Sequence, residues 1–317
     1  MSVHPQVKEV FRKQSLLGLP DTESMTPAEA RLAFSRARAN LSELETPVAA
    51  VEDRVIAVAE QGGAELPIRL YTPGGEGLPE LLPVFVFFHG GGFVLGNIEI
   101  TDRICRYYAQ AASCIVVSVD YRLAPEHKFP TAVTDAYAAT KWVVEHAVSF
   151  NGDSKRIAVG GESAGGNLAA VVSLLARDRG EFGLCCQLLI YPVVSFALDT
   201  ASCRECGNQY NLTYDEMLWF RAHYLQDEEQ INDPLASPLL AADLSGLPQA
   251  VIVTAEFDPL RDEGELYAER LASFGVAAKA KRYLGMVHSF FNFSGEVDAS
   301  KEALAETAAE LKRVFYT

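Results

Sequence analysis

Ser163 stands in Gly161-Glu162-Ser163-Ala164-Gly165, between a short apolar run, Ile157-Ala158-Val159, and a helix-forming stretch that begins after Asn167. A strand that turns straight into a helix holds its turn residue in a strained backbone conformation and pushes the side chain outward. Glycines two residues to either side remove the Cβ atoms that would collide in so tight a turn. The helix N-terminus beyond offers free N–H groups and the positive end of a dipole, which suits an oxygen gaining negative charge. These are the conditions for a serine nucleophile in acyl transfer. A serine hydroxyl is a weak nucleophile alone, so Ser163 needs a base, an acid that orients the base, and oxyanion donors from elsewhere in the chain.

The donors are expected from His89-Gly90-Gly91-Gly92-Phe93, directly after the apolar run at 84–88. Three glycines beyond a buried strand let backbone N–H groups face a ligand with no side chain in the way. Two such donors, with the N–H of Ala164, would surround an oxyanion, while His89, ahead of Gly90, opens the loop and orients it. The base must be a histidine, and six are present. His4 and His146 are placed on helices, His223 in an insertion, and His127 in Pro125-Glu-His-Lys-Phe-Pro. His288 follows the strand-like segment 277–283 and lies C-terminal to every other strand. It best fits the chain order Ser, then Asp or Glu, then His that accompanies such turns. The acid should come from the strand before it, where Glu256, Asp258 and Asp262 are available. Asp262 falls in the next helix, where an N-terminal acid commonly serves the dipole. Asp258, in the turn beyond the strand, is favoured over Glu256 because the acid must reach inward to the imidazole.

These side chains require a sheet to carry them. The segments 84–88, 114–119, 157–159, 188–190 and 251–253 are short continuous apolar runs, as expected of parallel strands covered on both faces. Helical stretches alternate with most of them, which implies an α/β class with a mostly parallel, doubly wound sheet. Strand-like segments at 51–59 and 66–71, separated by Gly62-Gly63, suggest an antiparallel start. Before them, Thr26-Pro-Ala-Glu29 makes a capping box ahead of a stripe through Ala33, Ala37, Leu41 and Leu44. About sixty residues separate Ile190 from Val251, where a crossover needs about a dozen. The expected organisation is N-terminal cap helices at 1–50, a catalytic core at 51–194 and 234–317, and a cap insertion at 195–233. Both cap pieces would lie over the carboxyl edge of the sheet, where ligands bind in such folds.

Composition bounds the function. Hydrophobic residues make up 49% and charged residues 22%, which fits a globular protein with a substantial core. The net charge of −15 argues against nucleic acid and anionic membrane surfaces, and favours neutral or cationic substrates only weakly. No apolar run approaches the ~20 residues that span a bilayer, and the first residues carry charges where a signal peptide is apolar. A cytoplasmic protein is expected. Cys203-Arg-Glu-Cys206 has redox or zinc spacing but lacks two further ligands, so it reads as two ordinary thiols on a mobile segment. No cofactor and no metal is expected. The sequons at Asn40, Asn211 and Asn292 carry no weight in a cytoplasmic protein.

Several segments together give the chain a family likeness: HGGGFVLGN (89–97), DYRLAPEHKFP (120–130), GGESAGGN (160–167), DPLASPLL (233–240), EFDPLRDEG (256–264) and GMVHSF (285–290). From the glycine loop onward the sequence resembles the hormone-sensitive-lipase-like (family IV) bacterial carboxylesterases of the α/β-hydrolase superfamily. That resemblance implies an α/β-hydrolase fold with a helical cap, Ser163 as nucleophile, Asp258 as acid, His288 as base, and oxyanion donors at Gly91, Gly92 and Ala164. It implies that YRLAPE braces the glycine loop, with Arg122 and Glu126 structural, and that a homodimer through the last strand's edge is open to this chain. The implied substrate is a small ester with a short or medium acyl chain, in a pocket expected to include Phe93, Val94, Met286, Phe290 and Trp219. Competing readings are an amidase or deacetylase with the same triad, a non-catalytic small-molecule receptor on the same fold, and thiol redox chemistry at Cys203 and Cys206.

Overall fold

A computed structural model describes residues 2–41, 44–58 and 64–317, so the Gly62-Gly63 turn lies outside the described residues. Eight strands form one sheet: β1 (Ala50–Val58), β2 (Ala64–Thr72), β3 (Leu82–Phe88), β4 (Ile115–Val119), β5 (Gly152–Glu162), β6 (Cys186–Ile190), β7 (Gln249–Phe257) and β8 (Ala278–Val287). Their order is β1-β2-β4-β3-β5-β6-β7-β8. β2 runs antiparallel to both β1 and β4, and every other pairing is parallel.

The continuous apolar runs are explained by burial on both faces. In β3, Val84, Val86 and Phe88 enter one core while Phe85 and Phe87 enter the other. The first core packs against helices α4 (Thr131–His146), α5 (Ala164–Arg179) and α8 (Arg261–Ser273), and the second against α3 (Asp102–Ala112) and α9 (Asp298–Tyr316). Successive strand residues point to opposite faces, so a strand covered on both sides is apolar at nearly every position.

Strand order also determines where loops meet. From β3 the chain crosses to β4 by way of α3 on one face, then returns past β3 to β5, whose α5 covers the other face. Two neighbouring strands whose helices leave to opposite faces open a crevice at their carboxyl ends. Phe88 pairs in register with Gly161, which sets the His89 loop beside Ser163.

Four further helices come from two parts of the chain, before the sheet and between β6 and β7. Helices α1 (Pro5–Ser15) and α2 (Pro27–Ala39) precede the sheet, and the expected capping box is formed, Thr26 accepting from the Glu29 N–H while Glu29 accepts from the Thr26 N–H at 2.9 Å. His4 is the N-cap of α1 rather than a residue on the helix; its ring accepts from the Gln6 N–H. Between β6 and β7 lie α6 (Ala201–Cys206) and α7 (Tyr214–Tyr224). Here one expectation fails: Cys203 and Cys206 are buried on α6 rather than carried on a mobile segment. Ser202 secures that helix by donating to the Pro259 carbonyl at 2.8 Å, and burial raises both thiols to about 11, which keeps them protonated and unreactive. Among the described residues no metal-binding group includes them. Leu198, Cys203, Leu212, Met217 and Leu260 form a third, small apolar cluster apart from the two main cores.

Candidate active site

Ser163 sits between β5 and α5 with φ 55° and ψ −117°, a conformation that a non-glycine residue adopts only when its surroundings impose it. A Cβ on Gly161 would come 2.3 Å from the Phe88 carbonyl oxygen, and one on Gly165 would come 1.9 Å from the same atom. The flanking glycines therefore let the turn press against the end of β3. Ser163 donates its N–H to Ile190 at 2.9 Å, and its carbonyl accepts from Asn167 and Val193.

Three of the expected side chains come together in one hydrogen-bonded row. The Ser163 hydroxyl lies 3.0 Å from Nε2 of His288, and Nδ1 of the same ring lies 2.8 Å from Oδ2 of Asp258. A carboxylate only accepts, so Nδ1 carries the proton and Nε2 presents its lone pair to the hydroxyl. Asp258 is fully buried, and its other oxygen accepts the Leu260 N–H at 2.9 Å. The competing acids are engaged elsewhere. Glu256 accepts the Gly285 N–H at 2.7 Å, while Asp262 accepts from the Ser202 N–H and from Arg261. His127 and His146 are exposed, and His223 bonds the Trp219 carbonyl on α7.

The glycine loop is rigidly held. His89 is buried, stacks on Tyr121 with ring centroids 4.3 Å apart, and bonds the Gly90 carbonyl through Nδ1 at 2.8 Å. Burial lowers its pKa to about 4, so the ring is neutral and cannot serve as a charged donor near neutral pH. Gly91 and Gly92 have φ of 119° and 60°, and the Gly91 carbonyl turns inward to accept from Val94 and Leu95. Among the described residues, the N–H groups of Gly91, Gly92 and Ala164 donate to no protein acceptor. The brace includes Tyr121, whose hydroxyl bonds the His89 carbonyl, and Ala124, whose N–H bonds the Phe93 carbonyl. Arg31 of α2 adds bonds to the Val94 and Ala124 carbonyls and to Glu126, whereas Arg122 pairs with the buried Asp135.

These groups open on a cavity of about 220 Å³. Phe34, Ala37 and Leu41 line it from the N-terminal side, and Leu212, Met217 and Phe220 from the insertion. Of the five expected pocket residues only Phe93 is on its wall. Val94, Met286 and Phe290 are wholly buried in the cores. Trp219 packs on Phe220 and His223 instead, because on α7 residues 217 and 220 share the inward face and 219 is turned about 100° from 220.

Four functional-site neighbours lay outside the sequence expectations: Glu162, Tyr191, Asn292 and Glu263. Glu263, one residue past Asp262, is buried and accepts the N–H groups of Val194 and Ser195 through one oxygen, at 2.8 and 3.2 Å. It thereby fixes the segment that also holds the Ser163 carbonyl. Burial raises its pKa to about 8 despite those two bonds. A folded-state value above the unfolded one means that the folded protein holds the proton more tightly. The stability Glu263 contributes is full below about pH 4 and is lost as pH rises toward 8, by ~3–5 kcal/mol in total. Glu263→Gln keeps the accepting oxygen and has no charge to bury. Thermal melts should show the variant close to wild type at pH 5 and more stable at pH 9; lower stability at both values would contradict this account.

The sequence profile of the alpha/beta hydrolase fold family matches residues 85–292. The carboxylesterase NlhH of Mycobacterium tuberculosis is 42% identical over 288 residues, covering 88% of this chain and 89% of its own. An arylesterase of Saccharolobus solfataricus is 40% identical over 289 residues, covering 89% of this chain and 91% of its own. The solved structure of a hyperthermophilic esterase from the archaeon Pyrobaculum calidifontis superimposes with a TM-score of 0.91 at 43% identity, covering 99% of each chain.

Proposed function

This chain belongs to the hormone-sensitive-lipase-like branch of the α/β-hydrolase-fold family, and on that footing we propose that it is a serine carboxylesterase acting through Ser163, His288 and Asp258. The observation that carries this reading is the row from the Ser163 hydroxyl through both imidazole nitrogens to a buried carboxylate, beside three backbone N–H groups without protein acceptors.

In the first step Nε2 of His288 takes the Ser163 proton while Oγ attacks the ester carbonyl. The carbonyl oxygen, now negative, accepts from the N–H groups of Gly91, Gly92 and Ala164, each worth ~3–4 kcal/mol in such a hole. Asp258 keeps the proton on Nδ1 and favours the imidazolium that forms. The imidazolium then protonates the departing alcohol, leaving an acyl group on Ser163. Water enters, His288 takes its proton, and the carboxylic acid is released as Ser163 recovers its hydrogen. Residues 1–50 and 195–233 act as the two pieces of a cap over this site.

The small apolar cavity fits short- to medium-chain acyl groups. A series of p-nitrophenyl esters should peak there, and a maximum at long chains would contradict the reading. Phe220 bounds the cavity so closely that a Cβ on Gly92 would come 2.2 Å from its ring. Phe220→Ala should move the optimum to longer chains; an unchanged profile would remove Phe220 from the wall. Purified protein assayed over matched esters and amides, with Ser163→Ala as blank, separates ester hydrolysis from amide hydrolysis.

A further inference from the structure

Glu162, the residue immediately before Ser163, is buried although it has no place in the reaction described above. Its Oε2 accepts from the Tyr191 hydroxyl at 2.7 Å and from Nδ2 of Asn292 at 3.2 Å. Its stem lies on the glycine loop, since a Cβ on Gly90 would come 3.2 Å from the Glu162 Cγ. Tyr191 is held in turn. Its φ is 37°, its N–H bonds the Val253 carbonyl at 2.7 Å, and its ring meets the His288 imidazole edge to face, with centroids 4.9 Å apart. Asn292 follows His288 by four residues and accepts from Arg38 of α2.

One carboxylate thus touches the glycine loop, the residue after β6 and the loop that carries the histidine. A positive φ in a tyrosine costs of order 1–3 kcal/mol, and it persists only where the surroundings over-determine it. An imidazole held at Nδ1 by Asp258 and at Nε2 by the Ser163 hydroxyl can still tilt about the line that joins the two bonds. The Tyr191 ring blocks this motion on one side, and the Glu162 bond stops the tyrosine from yielding.

Resting on the ester-hydrolase reading, we propose that Glu162 and Tyr191 are a positioning pair for His288: the carboxylate locks the tyrosine ring against the imidazole and places a second negative charge behind it. The charged and titratable groups around the imidazole are Asp258 from the turn after β7, Tyr191 from the end of β6, Ser163 and Glu162 from the β5 turn, and Arg38 from α2 through Asn292. Glu263, whose pKa is raised first by burial, also feels the Asp258 charge.

The test compares Glu162→Gln, Tyr191→Phe and the double variant on one p-nitrophenyl ester. Each single change should lower kcat ~10- to 100-fold with KM little altered, as removal of groups that orient a reacting ligand commonly does. Because the two residues act through one bond, the double variant should lose no more than the worse single variant. Glu162→Gln removes the charge, so the acid limb of its kcat/KM profile should move to lower pH by about half a unit or more. Tyr191→Phe keeps the charge and should leave that limb in place.

Wild-type kcat in both single variants, or losses that multiply in the double variant, would overturn the pairing. An unmoved acid limb in Glu162→Gln would overturn the charge role. Tyr191→Phe keeps the ring and decides the kcat question if Glu162→Gln fails to fold by circular dichroism. Ser163→Ala separates the two levels. Hydrolysis surviving in it would defeat the esterase reading itself, whereas a dead Ser163→Ala beside two unaffected variants would defeat only the positioning pair.

Discussion

Ser163→Ala is expected to lower ester turnover by about 10⁶-fold, to the level left by substrate binding and oxyanion donation alone. The reason is chemical rather than structural. Removing Oγ deletes the atom that becomes acylated, and no neighbouring side chain can substitute for it in the 3.0 Å contact with His288. The fold should not suffer, because the strain at this turn is held by Gly161, Gly165 and the backbone bonds to Ile190, Val193 and Asn167, none of which uses the hydroxyl. An alanine at φ 55° costs about as much as the serine it replaces. The measurement is steady-state hydrolysis with a melting curve on the same sample. A folded variant that retains a substantial fraction of wild-type turnover would dismiss Ser163 as nucleophile. Reaction with an organophosphonate gives an independent reading, since wild type should be labelled once per chain and the variant not at all.

Asp258→Asn is expected to lower turnover by about 10⁴-fold. The carboxylate accepts the Nδ1 proton at 2.8 Å and the Leu260 N–H at 2.9 Å, so both oxygens are committed as acceptors. An amide that presents its NH₂ to Nδ1 favours the opposite tautomer, with the proton on Nε2 and no lone pair toward Ser163. It also leaves the imidazolium formed during attack without a counter-charge. The control is Glu256→Gln, whose oxygen can still accept the Gly285 N–H and which bonds no part of the imidazole. A larger loss from Glu256→Gln than from Asp258→Asn would show that the acid had been assigned to the wrong residue.

What could be read from the chain alone was whatever a short segment determines locally. The elbow around Ser163 and the glycine loop are contiguous stretches whose spacing reflects backbone geometry. The apolar run of β3 is continuous because its side chains divide between two cores. The position of His288 one residue beyond β8 follows from strand order. The missed residues depend on distant partners that no local pattern encodes. Glu162 meets Tyr191 across 29 residues and Asn292 across 130, and Glu263 reaches Val194 across 69. Trp219 misses the pocket wall and Phe220 reaches it, because the phase of a helix cannot be fixed until its ends are known. Cys203 and Cys206 read as two ordinary thiols on a mobile segment, yet both are buried on α6, Cys203 in one apolar cluster with Leu260 from the turn after β7.

The third apolar cluster has a consequence for how selectivity can change. Leu198, Leu212, Met217 and Leu260 face the cavity yet belong to neither of the cores that hold the sheet. Replacing them reshapes the space open to an ester while the main folding free energy stays in other hands. Random libraries selected for new substrates should therefore gather their accepted changes in this patch, and the winners should melt within a few degrees of the parent.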